Sequence, residues 1–124
     1  MHVYYYKGDI SKVTSLEKIF ETTSHLIRKY KFNQDLGNWN TSNVITMAQM
    51  FDYNNDFNQD LSKWQTGKVT SMFQMFNYAT AFNGDVSKWN TSRVTNMGSM
   101  FNEAEAFNSD ISKCKFFILR VLKN

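Results

Sequence analysis

Asp35, Asp60, Asp85 and Asp110 recur at one fixed interval, and this column of carboxylates is the first feature of the sequence with chemical potential. Calcium takes six to eight oxygens, usually from several carboxylates in one loop. Here each FNxD loop offers one Asp and no glycine-rich turn. A calcium ladder is therefore the lesser reading. Carboxylates bonded to turn N–H groups, or balanced by neighbouring lysines, are the better one, and no metal or cofactor is expected. Lys63, Lys88 and Lys113 form a second column, which Lys12 extends. Lys68 and Arg93 form a third, while Asn38 and Asn43 hold the equivalent places in the preceding interval. Such strips suit anionic glycans, phospholipid headgroups or acidic proteins. Solubilising and edge-protecting charge is the better reading of them. The candidate partner-binding residues are Lys63, Lys88, Lys113, Lys68, Arg93, Asp60 and Asp85.

Catalytic constellations are missing. His2 and His25 have no acidic or nucleophilic partner at a recognisable spacing, and no glycine-rich phosphate loop, CxxC or HExxH occurs. Cys114 is a lone thiol standing where a tryptophan is expected. The reading is a protein that is not an enzyme. A net charge of +3 and a pI near 9.0 are too mildly basic to argue for nucleic acid. No apolar run approaches the ~18 residues of a membrane span, and "MHVYYYKGDI" lacks the pattern of a signal peptide.

The elements that must position these columns are repeats. Phe32, Phe57, Phe82 and Phe107 each open an "FNxD" motif with a 25-residue period, the signature of a stacked array. Three units are complete, at 32–56, 57–81 and 82–106. Residues 1–31 hold a broken copy ("GDISK" and "VTSLEKIF" without the intervening "WNTSR"), read as an atypical N-terminal cap. Residues 107–124 start a fourth unit and then lapse into "CKFFILRVLKN". That tail is either a C-terminal cap or the accidental end of a longer array, and self-association through FFILRVL follows if it is exposed.

Within a unit, Val44, Met47, Met50 and Phe51 fall on one face of a short helix, with Thr41 or Ser42 placed to cap it. Phe32 to Trp39 alternates apolar and polar residues and reads as a short strand. The expected fold is an α/β solenoid whose repeated coils are each a short strand plus a short helix. Trp39, Trp64 and Trp89 then align, as do the phenylalanines and the Met pairs. They read as core rather than as a ligand groove. Asn33, Asn58, Asn83 and Asn108 read as a structural amide ladder rather than a sugar site.

The unit FNxD[LVI]SKWNTSxVTxMxxMFxxAxx resembles the bacterial surface-protein repeat of this length found in mycoplasma-type lipoproteins and BspA-like proteins. The likeness spans residues 32–113, and more weakly 8–20. It implies a leucine-rich-repeat-like fold, location at the cell surface or secreted, and adhesion through a protein or glycan partner. The chain departs from the pattern in its few repeats, its lack of a visible signal or lipid-attachment cysteine, and its tail. Two functions follow: a non-enzymatic interaction module, or a structural spacer or fragment of a longer surface array with no binding of its own.

Overall fold

The computed structural model describes residues 8–22 and 31–114. The chain winds into stacked coils, and equivalent residues of successive coils touch. Ser15, Thr46, Ser71 and Asn96 form a row of isolated parallel bridges that marks the register. The three complete coils follow one another at a step of 25. The N-terminal copy sits on the first of them at a step of 31.

Each coil is made of turns. Trp39 N–H donates to Leu36 C=O at 3.1 Å and Val44 N–H to Thr41 C=O at 3.0 Å. Further on, Met50 donates to Met47, Asp52 to Gln49, and Asn54 to Phe51. The intervening N–H groups leave the coil. Those of Met47, Gln49, Phe51 and Tyr53 donate to the carbonyls of Ser71, Phe73, Met75 and Asn77 in the next coil, at 2.7 to 3.0 Å. Alternate amides thus close local turns and bind the neighbour, which satisfies the backbone that the core buries.

This corrects the expected fold class. The described residues contain no α-helix and, apart from the isolated bridges, no strand. The strand-plus-helix coil and the leucine-rich-repeat architecture are both overturned. The helical reading failed because spacings of 3, 3 and 1 among Val44, Met47, Met50 and Phe51 place side chains inward on a run of turns as well as on a helix. Gln49 (φ 55°) and Tyr53 (φ 58°) are left-handed, as are Gln74, Tyr78, Ser99 and Glu103 in the next two coils. A helix needs negative φ throughout. None of these positions is glycine, so the sequence carries no sign of the break. The Leu36–Trp39 turn likewise replaces the expected strand.

The apolar columns fill the interior. Val44, Met47, Met50, Phe51, Phe57, Leu61, Val69, Met72, Met75, Phe76 and Phe82 are wholly buried. Phenylalanines from the two ends of the coils interleave into one stack. Ring centroids lie 4.1 Å apart for Phe20–Phe32 and Phe51–Phe57, 4.0 Å for Phe76–Phe82 and 3.7 Å for Phe101–Phe107, all near parallel. The tryptophans stack at 6.4 Å. Residues 1–7, 23–30 and 115–124 lie outside the described part. So, therefore, do His2, His25 and the reading placed on the tail beyond Cys114.

Candidate interaction surface

The Asp column faces outward, and each carboxylate is committed to its own turn. Asp35 Oδ1 accepts from Gly37 N–H at 2.8 Å, Asp60 from Ser62, Asp85 from Ser87 and Asp110 from Ser112, each at 2.9 Å. Asp9 does the same with Ser11 in the N-terminal copy. An aspartate bonding two residues onward makes an Asx turn. The bonds from Ser62 and Ser87, side chain first and then backbone, hold Asp60 and Asp85 below the ordinary carboxylate range, and the adjacent Lys63 and Lys88 add to this. For Asp9 and Asp110 the backbone bond is the larger cause. The Asp60, Asp85 and Asp110 carboxylates stay ionised and fixed, just ahead of the lysine column.

Lys63, Lys88, Lys113, Lys68 and Arg93 are all exposed. Lys68 Nζ donates to Asn43 Oδ1 at 2.8 Å, so the amide that replaces a basic residue in the first coil anchors the basic residue of the second. Coil stacking aligns the charges in rows, and the row of Lys63 and Lys88 runs next to a tryptophan column that repeats at 6.4 Å. No group of three or more His, Cys, Asp or Glu able to hold a metal occurs among the described residues.

The other columns act between coils. Asn33 Oδ1 accepts from Asn58 N–H, Asn58 from Asn83, and Asn83 from Asn108, at 2.8 to 2.9 Å. Trp64 Nε1 donates to Leu36 C=O at 2.9 Å and Trp89 Nε1 to Leu61 C=O at 3.0 Å, so each indole reaches back one coil. Thr41 is no helix cap: its hydroxyl donates to Gln65 C=O at 3.1 Å and accepts from Gln65 N–H at 2.9 Å. Cys114 closes the turn where Trp39, Trp64 and Trp89 stand in earlier coils, donating its N–H to Ile111 C=O. It is half-buried. Burial pushes its thiol pKa up, with the nearby Thr91 hydroxyl acting the other way, and the net rise works against a reactive thiolate.

Two features escaped sequence reasoning. Asn102 Nδ2 donates to Asn77 Oδ1 and Asn77 Nδ2 to Asp52 Oδ1, both at 2.9 Å, so a largely buried side-chain ladder ends on a carboxylate. Asp52 is a fitting terminus because an ionised carboxylate only accepts. Its burial raises its pKa, with the bonds from Asn77 and Gln49 acting the other way. Tyr53 and Tyr78 stack at 4.7 Å beside this ladder, and Tyr78 is exposed. The recurrence of Asp52, Asn77 and Asn102 at the repeat period was the available signal.

The molecule is thus a turn-built repeat protein in which charged columns project from an apolar core rich in aromatic rings. The chain belongs to the family described as "Mycoplasma protein of unknown function, DUF285", which it matches over residues 5–114. No curated protein and no solved structure matches it. Among the described residues, no helix is long and apolar enough to cross a membrane.

Proposed function

We propose that this chain is a non-enzymatic interaction module of a cell surface that binds a protein or glycan partner along its charged columns. The observation that carries the reading is the exposed array of Lys63, Lys88, Lys113, Lys68 and Arg93 beside turn-locked Asp60 and Asp85. The Asp60 and Asp85 carboxylates are already held by their turns and lose little conformational freedom on binding, and preorganisation of this kind favours affinity. The resemblance of the repeat to mycoplasma-type lipoproteins and BspA-like proteins supports the surface location.

A glycan array and a pull-down from host surface proteins test it, using the wild type and a variant with Lys63, Lys88 and Lys113 changed to Ser. The expected result is a binder retained by the wild type and lost by the variant at unchanged melting temperature. A second reading, a spacer with no binding of its own, draws on the Asn, Trp and Thr columns, whose polar groups bond from coil to coil. Absence of any binder, or a binder indifferent to the three lysines, favours the spacer.

A further inference from the structure

The last complete coil, 82–106, makes the same turn twice in succession. Asp85 Oδ1 accepts from Ser87 N–H at 2.9 Å, and Lys88 follows. Asn90 Oδ1 accepts from Ser92 N–H at 3.0 Å, and Arg93 follows. Coil 32–56 repeats the scheme, with Asp35 on Gly37 and Asn40 on Ser42. In coil 57–81 the same places carry Asp60, Lys63, Gln65 and Lys68. The two rows of cations differ in what precedes them. Lys63 and Lys88 each follow a carboxylate, that of Asp60 or Asp85, and help keep it ionised. Three places before Lys68 and Arg93 stand the neutral amides of Gln65 and Asn90. Lys68 gives one of its donors to Asn43, and Arg93 bonds to no described residue. Between the rows, Trp64, Thr66, Trp89 and Thr91 are buried. The side chains left exposed there are those of Gln65, Asn90 and Ser92, which are hydrogen-bonding groups only.

We infer that Lys68 and Arg93 are the anion subsite of a strip that binds a linear acidic glycan, whose carboxylate or sulfate groups meet this row while its hydroxyls meet the Lys63–Lys88 row and the amides between. The inference rests on the reading of the charged columns as a binding surface, and it names the ligand class. An ammonium and a guanidinium without a neighbouring carboxylate hold anionic groups by charge-assisted bonds. The row of Asp60, Lys63, Asp85 and Lys88 sets acceptors and donors side by side with little net charge. That suits hydroxyls, which both donate and accept. A protein partner is the poorer fit, because interface cores are built on buried apolar and aromatic anchors and the exposed groups of this strip are all polar. A lipid surface is poorer still. It is recognised by clusters of about four to eight basic residues, where this row has Lys68 and Arg93.

The test is titration calorimetry of the full chain with a galacturonate octasaccharide, a heparin octasaccharide, neutral maltooctaose, an oligoglutamate peptide and phosphatidylglycerol vesicles. The expected result is binding of one or both acidic octasaccharides, with carboxylate and sulfate sources told apart by which of them binds, and no binding of maltooctaose. The double variant Lys68→Gln with Arg93→Gln is expected to bind at least about tenfold more weakly, the loss of one charged hydrogen bond, at unchanged melting temperature, since both side chains are exposed. Failure of both acidic glycans to bind overturns the inference. So does equal binding of maltooctaose, a double variant that binds as tightly as the wild type, or peptide or vesicles that bind more tightly than either glycan. A partner lost on changing Lys63, Lys88 and Lys113 but kept by the double variant also overturns it, while leaving the broader proposal of a binding surface standing.

Discussion

The junction between coils 57–81 and 82–106 and the end beyond 82–106 are written in nearly the same residues, yet they are held very differently. At the junction Phe76 lies between Phe51 at 5.4 Å and Phe101 at 5.5 Å, with Phe82 at 4.0 Å. Thr66 is bonded to Asn90 C=O at 3.0 Å, and four amides cross to the next coil. At the end, the Thr91 hydroxyl makes no coil-to-coil bond among the described residues, and the four corresponding amides, of Met97, Ser99, Phe101 and Glu103, donate to none of them. The lesson is that a repeat has no stability of its own. Its residues stabilise the fold only through the neighbour they meet, as expected of quasi-one-dimensional proteins.

The largest break in this contrast comes from the aromatic stack. Phe76→Ala is expected to cost about 3–5 kcal/mol, as large core truncations do. Phe107→Ala, in the partial coil, is expected to cost less than half as much. Chemical denaturation of both variants measures this, and equal losses would sink the claim that position in the stack sets the energy. Next comes Trp89→Phe, which keeps an aromatic ring but strips Leu61 C=O of its donor in a buried site. The expected loss is about 1–3 kcal/mol, read from the same denaturation midpoints. A change within error would mean that the indole bond is not structural.

A smaller and sharper comparison is Thr66→Val against Thr91→Val. The first removes a coil-to-coil hydrogen bond worth about 1 kcal/mol. The second removes a buried hydroxyl that makes no coil-to-coil bond among the described residues, so its melting temperature is expected to fall less or to hold. If Thr91→Val destabilises as much as Thr66→Val, the two threonines do not differ in what they hold.

The smallest effects lie in the pH dependence. Asp9, Asp60, Asp85 and Asp110 have depressed pKa values. Their stabilisation is present above the unfolded-state value near about 3.9 and is lost as pH falls through the lower folded values. Asp52 has the opposite sign, since burial raises its pKa. Its contribution improves as pH falls from that raised value toward about 3.9. Melting temperatures of the wild type and Asp52→Asn between about pH 4 and 7 are therefore expected to converge or cross, with the variant flatter. A constant difference across that range would remove Asp52 as the cause.

The candidate site was more legible in the sequence than the fold. Lys63, Lys88 and Lys113 are polar at one place in a fixed period, and a fixed period stacks whatever it repeats, so their alignment did not depend on the local conformation. The Asx turns at Asp60 and Asp85 also leave a local trace, an aspartate followed at the second position by a serine. The amides of Met97, Ser99, Phe101 and Glu103, which donate to none of the described residues, left none, because a repeat reads the same whatever follows it.

The sequence alone determined the repeat period, the columns and which of them are apolar, because burial follows side-chain polarity and stacking follows repetition. Tertiary structure decided between helix and turn. The amides of Met47, Gln49, Phe51 and Tyr53 have two outlets, a carbonyl earlier in their own coil or one in the next. Nothing local separates these when the apolar spacing suits both. The neighbouring coil offers its carbonyls and its core at once, and that joint gain outweighs the cost of left-handed Gln49 and Tyr53, roughly 1–2 kcal/mol each.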